Sequence, residues 1–355
     1  MSGSAERLSN SMMMRYSLGD LLTIRLPLAL LLALPLLAPA LLPSSRLLSL
    51  AILAAIYVIV ANGLHIIFSH TGQLSLAHTA VWGVGAYTAA LLTVHWDWPT
   101  EAILPVAGLC AALAAVAIGI PAFRTAGFSF AIMTFAFAEL MLLLANNWTD
   151  LTGGSLGITI PVARHSIALV EFDNFDLLNS FYYMTLAFAY LSLVAVWLIR
   201  QSFLGRTFVA IRENEQLAKS LGINVYIYKL TALAISGFFA GIAGVFLLYR
   251  QQHVDPGPLS QFTAFFTIQF LLMILIGGRF SSLGPAIGAV LVVFGPELIN
   301  SAFGDVLSAT RIQIIFGLML ILGVLFSPNG MAGQAQLRYR ALADMFHRYR
   351  GARQG

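Results

Sequence analysis

Charge is what this sequence has least of: Asp, Glu, Lys and Arg make up 10% of its 355 residues, against roughly a quarter in a soluble globular chain. With 59% apolar residues and a mean hydropathy of +0.85, a water-soluble fold would expose more apolar surface than it could cover. There is a single cysteine, Cys110, which excludes an intrachain disulfide and reads as a small apolar helix residue. A phosphate-binding loop is also missing. The glycine-rich TGGSLG at 152–157 lacks the closing Lys-Ser/Thr, so the chain is not expected to hydrolyse ATP itself. His65, His70 and His78 stand at no i, i+4 spacing and meet no acidic or cysteine cluster, so no metal is expected. With no nucleophile beside a base and no cofactor motif, an enzyme is not expected either.

What fills the sequence instead is long apolar runs. A spanning helix needs about 20 mostly apolar residues. Ten stretches satisfy that, near 26–43, 47–68, 73–94, 100–120, 128–146, 181–200, 229–250, 262–280, 284–302 and 310–327. The reading is an all-α polytopic membrane protein of about ten helices: a leader over 1–25, a transmembrane domain over 26–333 and a basic tail over 334–355. The first span is interrupted by Pro27, Pro35, Pro39 and Pro43, and Ala38-Pro39-Ala40 has the form of a signal-peptidase site. A retained span and a cleaved signal both fit; the long polar leader favours retention.

Basic residues give the orientation. With the N-terminus in the cytoplasm, fifteen of the nineteen Lys and Arg fall inside, leaving Arg46, Arg164, Arg250 and Arg311 outside. The C-terminus is then also cytoplasmic. The pI near 9.3 becomes a topology signal rather than a nucleic-acid footprint, and no nucleic-acid partner is expected.

Two loops are long enough to meet something: an outer one at 147–180 and an inner one at 201–228. The inner loop has no glycine or proline from Arg206 to Leu221, and Gly222 stands where a helix-ending glycine would. At 100° per residue Ala210, Ile211, Leu217, Ala218 and Leu221 share an arc of about 120°, interrupted by Asn214. Glu215 and Lys219 are spaced i, i+4 in the favourable order. One amphipathic helix is expected, whose apolar face either rests on membrane lipid or enters a cleft of a cytoplasmic partner.

Polar residues inside spans are functional candidates because they are costly there. Glu139 lies roughly 16 Å along its helix from Phe128, near mid-bilayer, as a hydrogen-bonded structural carboxyl or a solute ligand. Glu297, after Pro296, reads as structural. The segment from Asn62 to Gly85 is the most polar and glycine-rich of the membrane region. Broken segments of this kind survive in lipid only where protein or water covers the backbone. They line solute paths in transporters or allow close helix packing. Asn62, Gln73, Ser75, His78, Glu139 and Asn146 are the candidate pathway residues.

Four stretches carry a family resemblance: GQLSLAHTAVWGVGAYTAALL at 72–92, FSFAIMTFAFAELMLLLANNWTDLTGGSLGI at 128–158, GRTFVAIRENEQLAKSLGINVYIYKLTALAISGFFAGIAGVFL at 205–247 and GGRFSSLGPAIGAV at 277–290. Together with SPNGMAG at 327–333 they resemble the LivM-like permease subunits of branched-chain amino acid ABC importers. The resemblance implies half of a heterodimeric pore that works beside a related permease subunit. Two cytoplasmic ATPase subunits would bind ATP and Mg, and a periplasmic or lipid-anchored protein would deliver the small solute. It makes the inner helix a coupling helix, with Ala210, Ile211, Arg212, Glu213, Glu215, Leu217, Ala218, Lys219 and Gly222 toward the ATPase. The Glu-Ala-Ala motif common in ABC importers is replaced here by Gln216-Leu217-Ala218, with a glutamate displaced to Glu215. Asp150, Thr152, Gly153 and Gly154 become the candidate contact for the binding protein. The implied location is a bacterial or archaeal cytoplasmic membrane. Related permeases carry other amino acids, urea or short amides, and the rival class is an ion-coupled transporter using Glu139.

Overall fold

The computed structural model describes residues 34–37, 39, 44–125, 127–160, 176–257, 260–303, 308–326 and 331. The leader, the tail and the choice between retained span and cleaved signal at 26–43 lie outside these residues, apart from a 3-10 turn, Leu34–Leu37, and Pro39. The helices are α1 (Ser45–His65), α2 (His78–Trp96), α3 (Thr100–Ala122), α4 (Phe128–Asn147), α5 (Asp176–Gln201), α6 (Phe203–Glu213), α7 (Glu215–Ser220), α8 (Val225–Gln251), α9 (Ala264–Gly277), α10 (Gly284–Phe303) and α11 (Ala309–Phe326). α1 runs on into a π-helical turn, Ile66–His70.

Every expected span after the first has its helix, but the count of ten is approximate. Among the described residues six helices are long and apolar enough to cross a membrane: α1 with its extension, α3, α4, α5, α8 and α10. α9 is apolar but 14 residues long. α2 has 19 residues, yet His78, Thr79, Thr88, Thr93 and His95 dilute it. That dilution is tolerated because α2 is wrapped by protein: Trp82 and Ala86 are fully buried. Over their most apolar windows α1 and α8 are 72% buried, whereas α4 and α10 are 22% buried. α1 and α8 therefore form the centre, and α4 and α10 keep apolar faces turned outward.

Glycine sets the core spacing. α2, α3 and α8 approach so closely that a Cβ on Gly85 would lie 2.4 Å from the backbone of Gly241, and one on Gly244 would lie 2.4 Å from the carbonyl of Trp82. α9 and α10 meet in the same way, with Gly288 against the carbonyl of Met273. Small residues are how helices associate in lipid, where no water drives them together. Beside this seam Trp82 is enclosed edge-to-face by Tyr57, Phe262 and Phe270, with ring centres 5.4–6.3 Å apart. That is the favoured aromatic geometry.

A two-residue antiparallel ladder, β1 (Ile158–Thr159) with β2 (His253–Val254), joins the first half of the outer loop to the chain after α8. It forms because the backbones leave their helices there and must pair somewhere.

Candidate functional site

Between the π-turn and α2 the chain leaves helical geometry over 72–77, inside the segment expected to be broken. Its backbone groups are met by hydroxyls from distant helices, as an apolar surround demands. The Leu76 N–H donates to Thr134 Oγ1 at 3.0 Å, and Thr267 Oγ1 donates to the Leu76 carbonyl at 3.3 Å. The Thr79 N–H donates to Thr267 Oγ1 at 3.3 Å, and the two threonine hydroxyls lie 2.8 Å apart. His78 is buried, with Nε2 3.2 Å from the Val60 carbonyl and Nδ1 3.3 Å from Ser236 Oγ. Asn62 is fully buried and donates to Ser192 Oγ at 2.9 Å. The break is thus pinned to α1, α4, α8 and α9.

Sequence reasoning found the break but missed the pins. Thr79, Thr134, Ser192, Ser236 and Thr267 are single hydroxyls in apolar runs, and such residues also bond their own helix, as Thr88 does to the Val84 carbonyl. The six pathway candidates do not come together as a group. Asn62, Ser75 and His78 are buried inside this chain, and Ser75 and His78 line a small pocket with Ala115, Ile118, Leu233 and Gly237. Gln73 is half-buried in the break. Glu139 is half-buried on α4, among exposed Phe135, Leu140 and Leu143, and Asn146 is exposed near the end of that helix.

The 201–228 loop departs from the expected single helix. Asn214 is extended (φ −156°, ψ 103°) and splits it into α6 and α7. The physical reason is capping: Asn214 Oδ1 accepts the Leu217 N–H at 3.0 Å, so asparagine starts α7 instead of continuing α6. Gly222 ends α7 at φ +83°, as expected, with the Ile223 N–H returning to the Ala218 carbonyl at 3.1 Å.

The split also divides the expected apolar arc. Ile211 and Ala218 are 2% exposed and pack with Val225, Ile223 and Tyr228 of their own chain. Leu217 and Leu221 are 58% and 72% exposed. Ala210, Glu213 and Lys219 are exposed as well. Leu217 of α7 and Leu221 at its C-cap, spaced i, i+4, are therefore an exposed apolar pair, beside which Phe203 and Ile227 of the same loop are also exposed.

An ion pair holds α7 in place. Lys229, buried in α8 beside the Phe123 ring, donates to Glu215 Oε2 at 2.7 Å, while Lys219 reaches Oε1 at 3.0 Å. Partial burial pushes the Glu215 carboxyl up, but the hydrogen bonds and charges of the two lysines outweigh it and hold it below its ordinary 4.5. A depressed carboxylate stabilises above its unfolded value and loses that contribution as pH falls through the folded one. Hydrogen-exchange protection of α7 should therefore stay constant from pH 7 to about 5 and drop below about 4. In Glu215→Gln the acid-dependent drop should be absent; an equal drop in both proteins would exclude this pair as its cause.

Arg212 joins the loop to the break. Its Nη1 donates to the Ser69 carbonyl, at the free C-terminal end of the π-turn, at 2.7 Å. Glu213 holds its Nε at 3.1 Å, and its guanidinium lies 5.1 Å from the Phe280 ring centre. Gly72, at φ +75°, has no side chain to keep Arg212 away; a Cβ there would stand 3.0 Å from Arg212 Cγ. A cation on the last carbonyls of a helix is favourable, and π-turns mark functional sites more often than regular helix does.

On the opposite face Thr152 and Gly154 are interior parts of a tight turn. Thr152 Oγ1 donates to the Trp148 carbonyl at 2.8 Å and accepts the Gly154 N–H at 3.2 Å. Gly153 takes φ +75°. What this turn presents to solvent is Trp148, Asp150, Leu151 and Leu156. Residues 161–175 of the outer loop fall outside the described region.

A bundle of apolar helices around a pinned, broken polar segment, with one structured loop fastened to that break, defines a multi-pass membrane protein of the transporter-subunit class. The sequence profile described as branched-chain amino acid transport system / permease component matches residues 46–325, and the chain belongs to that family, the membrane component of ABC importers. It is 30% identical to the high-affinity branched-chain amino acid transport system permease protein LivM of Escherichia coli strain K12, over 79% of this chain and 69% of the relative. LivM of Salmonella typhimurium matches to the same extent. LivH of Salmonella typhimurium is 26% identical over 80% of this chain and 94% of its own. No solved structure matches.

Proposed function

We propose that this chain forms half of the translocation pathway of an importer for branched-chain or related amino acids, driven by ATP hydrolysed in other subunits. The observation that carries the reading is the Arg212 bond from the 201–228 loop to the Ser69 carbonyl. It gives a loop on one face a direct grip on the broken segment between α1 and α2. The distribution of basic residues supports a cytoplasmic position for that face and for both termini, and the relatives support a bacterial or archaeal membrane. There Leu217 and Leu221 enter a cleft on an ATPase subunit that holds ATP and Mg. A related permease subunit covers the apolar faces of α4 and α10. A solute-binding protein docks over Trp148, Asp150 and Leu156 on the other side. ATP binding supplies the differential affinity that any such conformational cycle requires.

The two halves of the loop separate docking from folding. In membranes co-expressing ATPase subunits of a branched-chain amino acid importer, Leu217→Asp with Leu221→Asp should abolish ATPase copurification, while thermal stability of the permease stays within about 1 kcal/mol, as for other exposed substitutions. Ile211→Asp should instead destabilise the loop by several kcal/mol, because it buries an unpaired charge. If the double leucine variant retains the ATPase, the docking assignment is wrong.

A further inference from the structure

Three arginines converge on the loop of residues 278–283. The guanidinium carbons of Arg212 and Arg279 stand 5.1 and 5.6 Å from the centre of one ring, Phe280, and Arg279 also lies 4.6 Å from the Phe68 ring. Arg200, at the end of α5, donates to Ser282 Oγ at 3.2 Å in the same loop. Among the described residues the one carboxylate that pairs with any of them is Glu213, on Arg212. Arg279 Nε is shielded from solvent and has no hydrogen-bond partner. The site as it stands is short of negative charge, and the aromatic faces offset only a small part of the repulsion.

We propose that Arg200, Arg279 and Arg212 form a binding site for the phosphate of an anionic phospholipid on the cytoplasmic face. The occupant follows from position and chemistry. The cluster sits at the ends of α5, α9 and α1 on the basic face, where headgroups lie, and basic pockets between spanning helices on that face suit lipid phosphates. Phe280 is 55% exposed beside it and offers an apolar shelf for the acyl region. Guanidinium forks match phosphate oxygens bidentately. Because Arg212 also grips Ser69, a lipid held here would brace the junction between the loop and the break.

The test uses the full chain in detergent, delipidated and then titrated with phosphatidylglycerol or phosphatidylcholine micelles. The readouts are retained lipid by native mass spectrometry and the thermal midpoint. Wild type should retain phosphatidylglycerol in preference and gain stability from it. Arg279→Gln and Arg200→Gln should each weaken that preference about fivefold, and Arg279→Lys less, because it keeps the charge. Arg124→Gln, an exposed basic residue on the same face outside the cluster, should leave it within twofold. Equal retention of both lipids by wild type, or an unchanged preference in Arg279→Gln and Arg279→Lys, would overturn the proposal. So would stabilisation by millimolar inorganic phosphate equal to that by the lipid, or loss of ATPase copurification in Arg279→Gln with lipid preference intact. The last result would assign the site to an acidic group of a cytoplasmic protein. The assay needs no transport, so its failure is separable from failure of the importer reading.

Discussion

Gly85→Leu should leave almost no folded protein. A Cβ on Gly85 would stand 2.4 Å from both the Cα and the carbonyl oxygen of Gly241, and both obstacles are backbone in the middle of helices. Neither can rotate away as a side chain could. Gly241 is itself pressed against α3, where its own Cβ would lie 2.5 Å from Ala111 Cβ and 2.6 Å from the Ala107 carbonyl. Relief would therefore require separating three helices that together bury Trp82, Ala86, Ala107 and Ala111. Overpacking of this kind costs about 1–3 kcal/mol when neighbours can give, and more here because they cannot. Against a typical total stability of roughly 5–15 kcal/mol, even Gly85→Ala should lower the thermal midpoint by several degrees. Gly317→Ala is the control, since nothing lies within 4 Å of that position, and it should be neutral within about 1 kcal/mol. A Gly85→Ala protein as stable as wild type in detergent, by size-exclusion yield and thermal midpoint, would mean that the α2–α8 approach is not this close.

The glycine seam also explains what the sequence could and could not reveal. Apolar runs locate helices because lipid demands them, and they placed α1, α3, α4, α5, α8 and α10 within a few residues. They placed α2 as well, expected near 73–94 and found at His78–Trp96, and its polar dilution is possible because the helix is buried. The break at 72–77 was legible from its glycine and hydroxyl content. Its pins were not, since a threonine that bonds its own helix and one that reaches a neighbour look alike in one dimension. In the inner loop the periodicity counted correctly but crossed a helix boundary. The pair Asn214-Glu215 is an N-cap followed by an acidic first turn, a start signal that outweighs the absence of glycine or proline. Reading it would have turned Leu217 and Leu221 outward and Ile211 and Ala218 inward. The resemblance makes Asp150, Thr152, Gly153 and Gly154 a contact for the binding protein, but the glycines among them build a tight turn that buries Thr152 and Gly154 and leaves Asp150 exposed.

Arg212 was expected to face a partner, and its inward grip on the break leads to the second large effect. Under the importer reading, Arg212→Ala should reduce solute moved per ATP hydrolysed by roughly 10- to 100-fold, the equivalent of a charge-assisted hydrogen bond of about 1.5–3 kcal/mol. The docking leucines are on α7 and its C-cap, beyond the helix boundary at Asn214, so ATPase subunits should still copurify and hydrolyse ATP. The defect is then one of transmission: the loop moves, but the Ser69 carbonyl is no longer held to it. Arg212→Lys keeps the charge near the π-turn but loses the fork that reaches Ser69 and Glu213 together. Its ratio should fall between wild type and alanine. A purely structural arginine would lower the yield of assembled complex and leave the ratio of transport to hydrolysis in the surviving complex unchanged. Measurement of that ratio in reconstituted vesicles, normalised to assembled complex, distinguishes the two, and an unchanged ratio in both variants would remove Arg212 from the transmission path.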